Sequence, residues 1–140
     1  MYVDIRDYNE DDSSRKIQVQ VEKFDCWNLD NTLAIIIHAS LRTFRERVLD
    51  PEVIAGVPSA FFDSDEDLDI DAANARWADA LDQMIWSFSE IAEQKPNEPD
   101  LPDQMNDETR EIWRQEIVAY HARIQSGIDL FAKHFTSLWE

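Results

Sequence analysis

The sequence predicts a mostly α fold of the α+β class: a three-helix bundle with an N-terminal β-hairpin. Two observations carry that prediction. Segments 28–49, 72–93 and 106–138 repeat apolar residues every three or four positions, the period of a helix with a buried face. A short segment near the start alternates apolar and polar residues, the period of a strand. The chain has 140 residues, 44% of them hydrophobic, which suits a single domain over 1–140 with one core.

Residues 1–24 read as the hairpin. Tyr2, Val3 and Ile5 precede a polar stretch, and Ile17, Val19 and Val21 then alternate with Gln18, Gln20 and Glu22. An isolated hairpin is marginal, so its apolar face is expected to pack on the helices. In the first helix, 28–49, Leu33, Ile36, Ile37, Leu41, Phe44 and Val48 form the stripe. Ala34 and Ile35 widen it, which points to burial on two sides. Asn28 or Asp30 can cap its start. Arg42, Arg45 and Arg47 suit the negative end of the helix dipole, and Pro51 closes the segment.

Residues 50–71 hold eight acids and no Lys or Arg, with Phe61 and Phe62 as the large anchors of a connecting segment. The second helix, 72–93, carries the stripe Trp77, Leu81, Met84, Ile85, Phe88 and Ile91. Pro96, Pro99 and Pro102 make the next connection extended and semi-rigid. The third helix, 106–138, starts at a cap on Asn106 or Asp107 and carries apolar residues from Trp113 to Leu138. It would be about 50 Å long. Gly127 inside it marks a bend or a close helix contact.

Composition limits function. Thirteen Lys and Arg against 30 Asp and Glu leave a net charge of −17. That charge opposes direct nucleic-acid binding and attraction to an anionic membrane. No apolar run reaches membrane-span length. The N-terminus lacks the pattern of a secretory signal. The single Cys26 cannot make an internal disulfide, which suits a reducing compartment. Asp25 beside it would raise rather than lower its thiol pKa, so it reads as a core or boundary residue.

Most enzymatic motifs are missing. The run Asp63-Ser64-Asp65-Glu66-Asp67-Leu68-Asp69 lacks the Gly and Glu of a calcium loop in either register. His38, His121 and His134 show no zinc-ligand spacing. There is no nucleophile elbow and no phosphate-cradling glycine loop. Asp79 and Asp82 share a helix face, with Glu90 near it, but the first helix offers only Asp30 and Glu46, which leaves a magnesium site half built. No catalytic residue, metal or cofactor is therefore assigned.

The charge is the main functional clue. An acidic surface attracts basic proteins and can imitate a nucleic-acid backbone. Asp63, Asp65, Glu66, Asp67 and Asp69 are candidate partner-binding residues, with Trp86 and Trp139 as exposed anchors, since Trp is enriched at binding hot spots. Trp27, Trp77 and Trp113 are expected in the core.

Three blocks also carry a resemblance. Asp25-Cys26-Trp27-Asn28-Leu29-Asp30-Asn31-Thr32-Leu33-Ala34 is similar to an Asp-x-Trp-x-x-Asp-x-Thr-Leu-Ala motif in a family of tailed-phage proteins with no assigned activity. Arg76-Trp77 with Leu81-Asp82 and Met84-Ile85, and Gly127 to Phe135 with Leu138-Trp139, resemble two further segments of that family in the same order. The resemblance implies a viral source and the cytoplasm of an infected host cell. It also marks Asp25, Trp27, Asp30, Thr32, Arg76, Trp77 and Asp82. With Asp79, some of these are expected to form a buried polar cluster joining the first two helices, Arg76 pairing with Asp30 or Asp79. The reading is a non-enzymatic, phage-encoded acidic protein that engages a basic host or viral protein, by nucleic-acid mimicry or as an inhibitor. The alternatives are a self-associating virion or assembly component and a metal-dependent nucleotide hydrolase using Asp30, Asp79 and Asp82.

Overall fold

The computed structural model describes residues 1–5, 17–50, 56–62 and 69–139. Strands β1 (Tyr2–Ile5) and β2 (Ile17–Gln20) pair antiparallel, with Val3 opposite Val19 and Tyr2 opposite Gln20. A 3-10 helix over Lys23–Asn28 leads into α1 (Leu29–Val48). A short 3-10 turn, Ser59–Phe61, precedes α2 (Ile70–Ala92). Helix α3 runs Asp107–His134 and ends in a 3-10 turn, Phe135–Ser137. The architecture is a three-helix bundle with an N-terminal hairpin.

Local chemistry sets the helix starts. The Asp69 carboxylate accepts the backbone N–H of Ala72 at 2.9 Å and caps α2. Asn106 and Thr109 exchange side chain-to-backbone bonds in a capping box at the start of α3, both 2.9 Å. Asn28 precedes α1 without a side-chain cap bond.

Helix α2 is the middle helix. Its backbone approaches both α1 and α3, while α1 and α3 approach each other nowhere among the described residues. Both neighbours run antiparallel to it. Asn31 donates to the carbonyls of Ile91 and Ala92, at 2.8 and 3.0 Å, so α1 begins where α2 ends. Arg45 meets Asp82 further along, Nε to Oδ1 at 2.6 Å. Tyr120 lies beside Glu90, Phe131 beside Phe88 and His134 beside Trp77, in reverse order along α2. The core gathers on α2: Trp77, Leu81 and Met84 are buried, with Ala34 and Leu41 of α1 and Ile124 of α3. Phe61 anchors its segment on Trp77 and His134, at ring separations of 5.0 and 4.9 Å.

Gly127 marks a close helix contact. A Cβ there would lie 2.6 Å from the carbonyl oxygen of Gln83 and would overlap Ser87. The hairpin departs from expectation. Among the described elements its backbone approaches no helix. Its apolar face, carrying Val3, Ile17, Val19 and Val21, is exposed. Alternation set the strands correctly, but it cannot say which molecule covers the apolar side.

Candidate interaction surface

The residues marked by the phage-like motif do not form one cluster. Asp25 accepts from the Met1 amino group at 2.5 Å and the Glu22 backbone N–H at 2.8 Å. These bonds, in that order, hold its carboxyl below the usual range. Thr32 bonds back to the carbonyl of Asn28, the residue that precedes α1, and Asp30 is exposed near the start of α1. Arg76 donates to the carbonyl of Phe61, at 2.9 Å from Nε and 2.6 Å from Nη2, and so fixes the segment before α2. Asp79 is exposed and accepts from Gln83. Besides the bonds of Asn31 to the end of α2, α1 and α2 are linked by half-buried Arg45 with exposed Asp82. Among the described residues no three His, Cys, Asp or Glu side chains come together as a metal site.

The tryptophans divide three ways. Trp77 is core, and Trp113 is half-buried, donating from Nε1 to the carbonyl of Pro99 at 3.2 Å. Trp27, expected in the core, is 84% exposed and stacks on Phe24, itself 81% exposed. Cys26 beside it is exposed as well. Trp86 is half-covered, edge-on to Tyr120, with the Arg123 guanidinium 3.7 Å above its ring. Trp139 is exposed. Of the acidic candidates, Asp69 caps α2, and Asp63, Asp65, Glu66 and Asp67 lie outside the described residues.

The described acids concentrate instead on the connection between α2 and α3. Residues 93–108 carry Glu93, Glu98, Asp100, Asp103, Asp107 and Glu108 against one cation, Lys95. All six acids are exposed. The stretch is pinned from beneath. Glu90, 1% exposed, accepts from the Tyr120 hydroxyl at 2.7 Å, from Asn97 Nδ2 at 2.6 Å and from the Asn97 backbone N–H at 3.2 Å. Burial, then the bond and charge of Glu90, push the Tyr120 phenol far above its usual pKa, so it stays a donor. Gln94 and Lys95 turn the chain in the left-handed region, with φ of 59° and 61°. The Pro99 carbonyl is held by Trp113, and Glu98 meets Lys95 at 3.3 Å and His121 at 3.1 Å. Hydrogen bonds from Lys95 first, and then from His121, hold the Glu98 carboxyl below its usual range. Three prolines fix φ along the same run.

The result is a row of solvated carboxylates on a braced backbone. Sequence reasoning placed Glu90 near the face of Asp82. The structure turns Glu90 inward and Asp82 outward. The available signal was its spacing: Glu90 follows Ser87 by three residues, and both lie toward α3.

Compared with family models, curated proteins and solved structures, the chain matches none.

Proposed function

We propose that the chain is a non-enzymatic interaction protein that engages a basic protein partner through the acidic stretch 93–108. The observation that carries this reading is the bracing of that stretch by Glu90, Asn97, Tyr120 and Trp113. Flexible acids must be ordered when a partner binds, at a cost in entropy; carboxylates carried on a backbone already held in place avoid part of it. A net charge of −17 supplies long-range attraction to a cationic surface. The finer reading is that the partner is a nucleic-acid-handling protein of a phage-infected host or of the phage, and that the carboxylates occupy the place of phosphates. The resemblance to tailed-phage proteins supports the viral setting. The hydrolase alternative finds no support in the placement of Asp79 and Asp82, each of which is engaged by a neighbouring side chain.

The test is capture from host lysate on the immobilised protein, followed by titration of the retained protein in purified form. The reading expects a basic protein whose affinity falls steeply with added salt and which duplex DNA or RNA displaces. Binding indifferent to salt would overturn the electrostatic reading. Binding that is salt-sensitive but not displaced by nucleic acid would remove mimicry alone.

A further inference from the structure

Helix α1 is apolar on two sides; the described residues cover one fully and the other only in part, where Ile37 and Phe44 pack against the core and Phe44 lies edge-on to Trp77. Ala34, Leu41 and Val48 are buried toward α2. About 90° round the helix lies a second stripe, Leu29, Leu33, Ile36, Ile37, Ser40 and Phe44. Leu29 and Leu33 are exposed, and the other four are half-buried or exposed. Because the backbones of α1 and α3 do not approach each other among the described residues, this stripe opens onto a groove of about 370 Å³ whose far wall is Phe131, Phe135 and Leu138. An apolar helix face left in water is a face that another molecule covers.

We infer that a second copy of this chain covers it. The charge distribution supplies the first argument. Two copies that each carry −17 repel over most of their surfaces. On α1 the acids are Asp30 and Glu46 and the cations Arg42, Arg45 and Arg47, so it is net positive, whereas α2 and α3 are net negative. Asp30 lies about 70° from the stripe and Glu46 about 130° from it, so no carboxylate of α1 sits on the stripe. Arg42 and Arg45 lie about 170° and 130° from the stripe, and Arg47, about 30° from it, sits at its C-terminal end, so an antiparallel pair of α1 helices keeps the two Arg47 side chains apart.

The stripe is also self-complementary. A two-fold axis between Ile36 and Ile37, with the two α1 helices antiparallel, sets each Leu33 level with the other copy's Ser40. It sets each Leu29 level with the other copy's Phe44 and each Ile36 level with the other copy's Ile37, so the facing positions are apolar except for Ser40, where a small residue meets Leu33.

Area supplies the third argument. From Leu29 to Phe44 is about 24 Å, and α1 with the α3 wall is about 20 Å wide. That gives about 500 Å² per copy, and about 700 Å² with the exposed Phe24 and Trp27. The total, about 1,000–1,400 Å², reaches the range of specific interfaces at its lower end. A reversible dimer with a dissociation constant of about 1–100 μM is expected.

Sedimentation velocity on the full chain, from about 5 μM to 1 mM at low and high salt, tests this. The expected result is a monomer–dimer equilibrium that tightens as salt rises, because salt screens the repulsion. Binding to a basic partner weakens with salt, so the two interactions fail separately. Leu33→Glu, at an exposed position, should weaken the dimer by at least about tenfold while leaving the circular dichroism spectrum unchanged. Independently, Ile36→Cys in a Cys26→Ser background should oxidise to a covalent dimer, since position 36 lies at the axis. A monomer at 1 mM in high salt overturns the inference. So does a dimer that survives Leu33→Glu and leaves Ile36→Cys unlinked.

Discussion

Replacing Gly127 with alanine sets two physical effects against each other, and the structure decides between them. In an exposed helix interior the change stabilises by about 1 kcal/mol, because glycine has more backbone freedom to lose. Here the new Cβ would stand 2.6 Å from the Gln83 carbonyl oxygen and would overlap the Ser87 side chain. Ser87 can retreat only by giving up its bond to the Arg123 carbonyl at 3.3 Å. Gln83 O belongs to the backbone of α2, so relief there means moving α3 outward by several tenths of an ångström. That loosens the contact of Phe88 with Phe131 and of Tyr120 with Glu90. Overpacking of this kind costs about 1–3 kcal/mol, and the lost hydrogen bond about 1 kcal/mol more. After the helix-propensity gain, Gly127→Ala should destabilise by about 2 kcal/mol. At roughly 4 °C per kcal/mol for a chain of this size, the melting temperature should fall by about 8 °C. Gly56→Ala, with nothing within 4 Å of its Cβ, is the control and should shift stability by less than about 0.5 kcal/mol. Thermal melts followed by circular dichroism measure both. A Gly127→Ala protein as stable as the parent, or more so, would refute the close approach of α2 and α3.

Other substitutions probe the brace and the surface. Glu90→Ala leaves the buried Tyr120 hydroxyl without its acceptor and unpins Asn97. It should cost about 2–4 kcal/mol and speed hydrogen exchange at Asn97 and Glu98; Glu90→Gln, which keeps an acceptor, should cost less. His134 is buried against Phe61 and Trp77, and burial, then the charge of Lys133, hold its pKa below the ordinary 6.5. The unfolded chain therefore binds a proton that the native state refuses. Stability from this site is full above about pH 6.5 and declines as pH falls below it. Melting temperatures between about pH 7.5 and 5.5 should drop in the parent and drop less in His134→Gln. The double change Phe24→Ser and Trp27→Ser removes two rings that lie outside the core, so stability should move by less than about 0.5 kcal/mol. A loss of several kcal/mol in urea would place Trp27 in the core after all.

The helices were legible because their stripes are long and their caps local. The expected 28–49, 72–93 and 106–138 lie within a few residues of the observed bounds, except that α3 ends at His134. Asn106 could be read as a cap because the bond it makes spans only three residues. Gly127 could be read as a contact because glycine in a helix has few other uses. What stayed hidden depends on neighbours distant in sequence. Nothing near Arg76 announces the Phe61 carbonyl fifteen residues earlier. Trp27 looks like core by type and position, but among the described elements its 3-10 helix approaches only α1. Glu90 looked like another solvated acid, because its partners come from the connection and from α3. The second apolar side of α1 was legible; that the described residues cover it only in part was not.

The most direct measurement of the central claim compares the parent with Glu93→Gln, Asp100→Asn and Asp103→Asn combined, three exposed changes within the braced stretch. Both would be titrated with the captured basic protein at one fixed salt concentration. The account predicts unchanged folding and affinity reduced by at least about tenfold, close to 0.5 kcal/mol for each charge removed. Equal affinity for the two proteins would contradict it, and would place the partner somewhere other than the acidic stretch.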